Sequence, residues 1–392
     1  MGLRPSLIPC RRRAVVLIIA LVAVAAGLVV APGSAGAATG QLLSPNVAMY
    51  PRAIRLAHSG SADGRIIADA TSFPAQGPVG AIFESTDNGG SFRQVGAVAD
   101  SLAAGGLCCT TLFELPRRIG SMPAGTLLWA GTIGQGVTTD RRMSLRIWRS
   151  DDLGRHWSFL SACAQAPNGG GLWEPELSVD AYGRLVCHFS DETHQPTYSQ
   201  LLARTVSTDG VHWSAERFTV ASTDPNHRPG MANVRRLPGG SYLMTYEVCG
   251  TGDQYDCAVH YRTSRDGWNW GDPRDIGPMI HSPSGQYFTH TPTIATATGG
   301  RLLLVGQVLN NADGGVAAGN GDTLFETGPG GHGGWSAVAA PVSVPDARND
   351  VCPNYSSTLV ALGGAGVRVL EIATDYGSDN VCRGYFATGS VR

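Results

Sequence analysis

Ser150-Asp-Asp-Leu-Gly-Arg-His-Trp157 is one of four short stretches built alike. The others are Ser85-Thr-Asp-Asn-Gly-Gly-Ser-Phe92, Ser207-Thr-Asp-Gly-Val-His-Trp213 and Ser264-Arg-Asp-Gly-Trp-Asn-Trp270. In each, an Asp can accept turn N–H groups, a Gly supplies the left-handed position, and an aromatic ring plugs the underside of a hairpin. A degenerate fifth copy surrounds Gly333-Gly334-Trp335, and the last repeat has none. The spacing between copies matches a larger unit in which an alternating strand, a Gly turn and a more apolar strand recur six times. The second strands read Arg65–Ala70, Thr126–Ala130, Arg184–Phe189, Ser241–Tyr246, Arg301–Val305 and Val367–Ile372, preceded by Gly64, Gly125, Gly183, Gly240, Gly300 and Gly366. They begin about 55 to 65 residues apart, room for four strands and their loops. The reading is all-β: a six-bladed β-propeller with four-stranded antiparallel blades. Residues 41–47 are expected to close the ring as the outer strand of the last blade, because closure removes exposed sheet edges.

The N-terminus reads differently. Arg11, Arg12 and Arg13 precede an apolar run from Ala14 to Val30, followed by Ala35-Gly-Ala37. That is the grammar of a signal peptide over residues 1–37, which leaves 38–392 as the propeller domain. The competing reading, a retained anchor, rests only on the length of the apolar run. Export is the expectation, and with it a protein free of the membrane after cleavage. Cys10 falls in the leader, so eight of the nine cysteines would meet an oxidising compartment. Cys249 with Cys257 and Cys352 with Cys382 are plausible pairs, whereas the adjacent Cys108 and Cys109 have no assignment. The formal net charge of −2 offers no basic stripe for nucleic acid. No zinc-type Cys or His spacing occurs, so neither metal nor cofactor is expected, and a monomer is the expected state.

Blade geometry sorts the polar residues. The Asp-bearing hairpins lie on one face, and the starts of the inner strands with the ends of the second strands share the other. At that mouth the sequence sets Tyr50, Arg52, Glu114, Trp173-Glu174-Pro-Glu176, His227, Arg228, His290 and Asn354-Tyr355, joined by Ser190-Asp-Glu192 and Tyr246-Glu247. Paired carboxylates among aromatic surfaces suit glycosidic cleavage: one acid for the leaving oxygen, one carboxylate for the anomeric carbon or a water. Glu174 and Glu247, from adjacent blades, are the catalytic candidates. Arg52, Trp173, Glu192, Arg228, Tyr246, His290 and Tyr355 are the candidates for contacting a polysaccharide or oligosaccharide. Glu176 shares its strand side with Glu174 and is an alternative acid, and Glu114 is as readily an ion-pair partner of Arg117 or Arg118.

The four hairpins resemble the Asp-box of sialidase-type propellers. Trp173-Glu-Pro-Glu-Leu177, the stretch from Gly183 to Glu192, and Arg228-Pro-Gly-Met231 running to Tyr246-Glu247 resemble the exo-arabinanase family of glycosidases, family 93. The resemblance implies a secreted enzyme that releases arabinobiose from the non-reducing end of linear arabinan with retention, through glutamates that carry over to Glu174 and Glu247. It leaves their order open, with Glu174 as acid/base and Glu247 as nucleophile preferred. Two other readings stand beside it. A sialidase would use a Tyr nucleophile and an arginine clamp, for which Arg52, Glu247, Arg262 and Tyr355 are candidates; the third arginine is replaced by Phe288-Thr-His290-Thr, and the loop 71–80 lacks an acid. A lectin-like propeller would bind glycans without two facing carboxylates.

Overall fold

A computed structural model describes residues 39–362 and 367–391. The expected leader over 1–37, with Cys10, and the turn residue Gly366 lie outside the described residues. No helix among those described is long and apolar enough to cross a membrane. Six antiparallel sheets follow one another along the chain. Blade one comprises Met49–Arg55, Ile66–Ser72, Val79–Ser85 and Arg93–Val98; blade two comprises Leu107–Glu114, Leu127–Ile133, Ser144–Ser150 and Ser158–Gln165. Blade three comprises Leu172–Val179, Leu185–Asp191, Leu201–Ser207 and Arg217–Val220. Blade four runs Arg228–Arg236, Tyr242–Cys249 and Ala258–Ser264, with Tyr287–Thr289 fourth, and blade five runs Thr293–Thr296, Leu302–Val305, Thr323–Glu326 and Ser336–Ala339. Blade six is Thr358–Leu362, Val367–Tyr376 and Cys382–Val391, and Gln41–Leu42 adds its outer strand through Gln41↔Phe386 and Leu42↔Tyr385. Blade four departs from the simple meander: Tyr287–Thr289 also pairs with Val308–Asn310 of the next repeat.

The second strands are largely apolar because both of their faces are buried. Ile66 packs between blades six and one, while its neighbour Ile67 packs between blades one and two. Leu127 and Leu128 divide in the same way between the one–two and two–three interfaces, as do Leu303 and Leu304 between five–six and four–five. Leu202, Val220, Val234 and Tyr242 fill the three–four interface. Each pair of neighbouring blades thus owns a separate core, and apolar packing is spent between blades rather than on the axis.

The repeated hairpins hold their shape by local bonds. Asp87 accepts from the Ser91 N–H at 2.9 Å, Asp152 from His156 at 2.9 Å, Asp209 from His212 at 2.8 Å and Asp266 from Asn269 at 2.7 Å. Hydrogen bonds from the Ser91 and Ser85 hydroxyls help hold the Asp87 carboxyl down to about 2. Four disulfides are present: Cys108–Cys109, Cys163–Cys187, Cys249–Cys257 and Cys352–Cys382. The last two are the pairs expected from spacing. Gly125 at φ +85° could not be replaced, since a Cβ there would lie 2.4 Å from the His58 carbonyl oxygen.

The closing segment should matter for stability. Leu43 follows the short outer strand and is buried in the core between blades six and one. Leu43→Ala is expected to cost about 2–4 kcal/mol in urea-induced unfolding; an unchanged midpoint would show that ring closure does not rest on this contact.

Candidate active site

The axis of the propeller is built by one device used repeatedly. On the innermost strands of blades one to four, one extra residue stands opposite the second strand, between Met49 and Arg52, Cys108 and Thr111, Trp173 and Glu176, and Gly230 and Asn233. Within each bulge a non-glycine residue takes positive φ: Tyr50 (53°), Cys109 (58°), Glu174 (53°) and Met231 (58°). His290 (61°) and Asn354 (56°) adopt the same conformation in blades five and six. Left-handed backbone is unfavourable for such residues, and a bulge redirects the side chain. Tyr50, Cys109, Glu174 and Met231 all line a single cavity of about 440 Å³, together with Glu247 and Tyr355.

One wall of this cavity is acidic. The Glu174 N–H donates to Thr132 Oγ1 at 3.2 Å, and its carboxylate accepts from Ser190 Oγ at 2.6 Å. Ser190 Oγ in turn accepts the Met231 N–H at 3.1 Å. Burial pushes the Glu174 carboxyl up, opposed by the Ser190 hydroxyl and the Met231 amide. Glu247, from the second strand of blade four, accepts the Thr291 N–H at 2.7 Å. Burial pushes Glu247 up to about 8 against that bond, and the neighbouring Glu174 charge adds to the rise. Glu247 therefore retains a proton near neutrality in the cavity it shares with Glu174. Arg228 is the cation of the cavity lining. It is already paired with Glu192 and also donates to Gln200 Oε1 at 2.8 Å and Ser199 Oγ at 2.9 Å, while the Trp173 indole N–H donates to Glu192 at 3.0 Å.

The other wall is apolar. Met49, Phe73, Leu107 and Val351 meet the Cys108–Cys109 disulfide there. The Tyr50 and Tyr355 rings lie 6.1 Å apart, and burial pushes both phenols up.

The cavity therefore gathers Glu174, Glu247, Trp173, Glu192, Arg228 and Tyr355 of the expected set. Other candidates fall elsewhere. Arg52 lies over the Tyr50 ring, 4.2 Å from its centroid, donates to the Ser356 carbonyl, and lines a second cavity of about 690 Å³ along with Glu114 and Glu176. Tyr246 alternates away from Glu247 into the three–four core, its hydroxyl bonded to the Ile276 carbonyl at 2.6 Å. His290 is half-buried beside the Cys249–Cys257 bridge, its backbone N–H donates to the Cys257 carbonyl at 2.9 Å, and burial pushes its imidazole down. His227 pairs with Ser222 and Asp224.

Two expectations need correction. Glu174 and Glu176 do not share a side, because the bulge between Trp173 and Glu176 breaks the two-residue alternation. Glu176 instead receives Arg235 at 2.5 Å, Val234 N–H at 3.2 Å and Thr111 at 3.1 Å, a closed structural network. Glu114 stands at the end of its strand, not the start, and accepts the Ala57 and His58 N–H groups and the Ser59 hydroxyl rather than Arg117 or Arg118. The inner strand of blade two begins at Leu107, so Cys108 and Cys109 occupy the mouth position. As site residues they, Gln200 and Met231 were missed, whereas Ser190 was placed at the mouth without a role; a bulge leaves no mark in residue type, and only the unassigned Cys108-Cys109 pair gave a signal.

No protein-family model matches this sequence, and no curated protein is significantly similar to it. Solved structures are similar in fold. An α-L-arabinanase of Penicillium chrysogenum complexed with arabinobiose is 24% identical, with a TM-score of 0.71 over 90% of this chain and 98% of that one. The GH93 α-L-arabinofuranosidase of Fusarium graminearum with arabinobiose is 20% identical, with a TM-score of 0.71 over 91% of this chain and 98% of that one. A protein of unknown function from Dyadobacter fermentans is 13% identical, with a TM-score of 0.59 over 91% and 98% of the two chains. At these identities the likeness is one of fold: a six-bladed propeller aligned over nearly its whole length.

The disulfide at the mouth can be checked chemically. Digestion of the oxidised protein without reductant should yield one peptide holding both Cys108 and Cys109, lighter by two hydrogens than its dithiol form, with no free thiol among the four bridged pairs. Alkylation of either residue without prior reduction would contradict the arrangement.

Proposed function

We propose that the protein is an exported, exo-acting glycoside hydrolase for arabinan or a related neutral polysaccharide, with Glu174 and Glu247 as its catalytic pair. The observation that carries this reading is that two half-buried carboxyls, from adjacent blades, line one cavity with a raised proton affinity. The likeness to two arabinose-polymer enzymes in complex with arabinobiose adds support for the substrate class. The disulfides favour the oxidising compartment that the leader sequence suggests.

In a retaining reaction, one carboxylic acid protonates the glycosidic oxygen as a carboxylate attacks the anomeric carbon, forming a glycosyl-enzyme. The first group then takes a proton from water, whose oxygen releases the sugar. The electrostatics favour the opposite order from the one preferred on resemblance. Burial raises the Glu174 carboxyl, but the Ser190 hydroxyl and the Met231 amide oppose that rise and favour its anion, which suits the nucleophile. Glu247, pushed up to about 8, retains the proton an acid/base must give. The apolar wall suits the ring of a sugar, and the Trp173–Glu192–Arg228 chain suits its hydroxyl groups.

The sialidase reading loses support on three counts. The arginines offered for a carboxylate clamp do not converge, since Arg52 lines the second cavity and Arg262 bonds to the Thr219 carbonyl. Arg228 is already neutralised by Glu192. The Tyr355 phenol is pushed up, which disfavours the nucleophilic phenolate.

Linear arabinan, sialyllactose and a panel of neutral glycans would test the class directly. Sugar release from arabinan is expected. Glu174→Gln and Glu247→Gln should each lower kcat by at least about 10²-fold without shifting thermal unfolding. Release of sialic acid alone, or full activity in either variant, would overturn the assignment.

The pH profile follows from the same groups. A proton held to about 8 is present below that pH and lost above it, so kcat/KM should fall with a limb centred near pH 8. The lower limb reflects protonation of Glu174, whose raised affinity sets it above the ordinary carboxylate range. A profile that stays level well into alkaline pH would show that Glu247 is not the acid.

A further inference from the structure

Beside the mouth, another polar cluster stands apart from the catalytic pair. Asp191 ends the second strand of blade three, His194 follows in the same loop, and Glu216 immediately precedes the outer strand Arg217–Val220. One donor atom from each lies within 4.8 Å of the other two. His194 Nε2 is 2.5 Å from Glu216 Oε1 and 3.5 Å from Asp191 Oδ2. The Asp191 side chain is wholly buried, with Oδ1 accepting the Thr193 N–H at 2.6 Å. Its Oδ2, which faces the imidazole, has no hydrogen-bond partner.

That orphaned oxygen is the telling feature. A buried carboxylate oxygen without a partner is costly, and a second carboxylate close by makes it more so. His194 cannot satisfy both acids: Nε2 carries one hydrogen, and Glu216 takes it. The ring is also held edge-on against Phe218, with centroids 4.9 Å apart.

A cation can bind all three at once. We propose that Asp191, His194 and Glu216 form a binding site for a divalent transition-metal ion, zinc foremost. One imidazole nitrogen with two carboxylate oxygens is a donor set that zinc accepts, with a further position for water. Around such an ion, with bonds near 2.1 Å, tetrahedral ligand atoms stand about 3.4 Å apart. The Asp191–His194 separation of 3.5 Å already meets that spacing. Glu216, whose side chain is one-third exposed, would withdraw from the imidazole by about 1 Å, a small movement at a strand end. The other group of potential ligands, Cys249, Cys257 and His290, is not comparable, because its two sulfurs form a disulfide.

Position gives the site its role. Glu192, next in sequence to Asp191, pairs with Arg228 and receives the Trp173 indole N–H at 3.0 Å. An ion tying Asp191 and His194 to Glu216 would pin the loop that carries Glu192, and with it the polar edge of the cavity. Asp191, His194 and Glu216 are thus positioning residues, and the site does not depend on which glycan the cavity takes.

The test is metal binding by the untagged, secreted protein. After treatment with chelator, titration with zinc chloride should show one tight site per chain by calorimetry, with one equivalent retained through gel filtration when measured by mass spectrometry. Zinc should raise the unfolding temperature and chelator should reverse it. Glu216→Gln and His194→Ala should weaken zinc binding by at least about tenfold while unfolding at the wild-type temperature in chelator. Glu216 is partly exposed, so its variant keeps the test sound if changes at buried Asp191 prevent folding. Absence of stoichiometric zinc in the wild type, or the same affinity in both variants, would show that His194 is simply an ion-pair partner. Neither outcome bears on hydrolysis of arabinan.

Discussion

The cavity at the mouth depends on a backbone constraint: a one-residue bulge near the start of the innermost strands of blades one to four, each holding a side-chain-bearing residue at positive φ. Without it, strand alternation would send Glu174 into a blade interface and leave the axis lined by whatever the two-residue period allowed. Positions of this kind cost of order 1–3 kcal/mol each. The cost is tolerable because stability comes from elsewhere. Six cores lie between blades, and each large buried side chain contributes about 1.5–3 kcal/mol. Stability and chemistry are thus kept in different parts of the ring.

The electrostatics of the mouth follow from that separation. Since the bulges point side chains into a confined space, carboxyls from blades three and four are desolvated together. Cation supply is short: Arg228 is engaged by Glu192, and Arg52 is stacked on the Tyr50 ring. Were a free guanidinium beside Glu247, its carboxyl would ionise in the ordinary range, and no proton would remain for a leaving group. Asymmetry between the two acids arises from donors, with the Ser190 hydroxyl and the Met231 amide for Glu174 against the Thr291 amide for Glu247.

Much of the fold was legible because its signals are local. Ser85, Asp87 and Gly89 fix a hairpin within a few residues, so four copies at even spacing reveal a blade count without any tertiary knowledge. The closing strand at Gln41 followed from the need to hide an edge. Side-chain direction at the axis was less legible. Glu176 looked equivalent to Glu174 because strand periodicity carries no record of an inserted residue. Glu114 was assigned to the mouth because Leu112–Leu115 reads as apolar as a strand start, whereas the strand had begun at Leu107. Tyr246 failed for a simpler reason: it neighbours Glu247 and must face the opposite side of the sheet. The burial of Asp191 was equally invisible, since it depends on how a loop folds back over blade three.

The same registers explain why the two faces of the ring differ in what they can tolerate. Pairing of Leu107 with Ile133, and of Ile133 with Ser144, puts the bulges, the ends of second strands and the starts of third strands on one edge of each sheet. The hairpins of Ser150, Asp152 and Trp157 fall on the other edge. The bonds that shape each hairpin are local to it, and a few others reach the next blade, such as the Trp213 indole N–H to Ser161 Oγ at 3.0 Å and Arg155 to Glu84 at 3.3 Å. At the mouth, contacts also run between blades: Ser190, which holds Glu174 within blade three, accepts from Met231 of blade four, Thr132 of blade two accepts from Glu174, and Arg228 of blade four pairs with Glu192. A side chain on one blade therefore sets the protonation or orientation of one on the next, and a sub-ångström slip between blades three and four changes the acid pair directly. Rigid packing at the three–four interface, where Tyr246 and Val248 are fully buried on either side of Glu247, is what holds that relation. In this sense Tyr246, which never reaches the cavity, supports the chemistry as a fixed pivot for its neighbour.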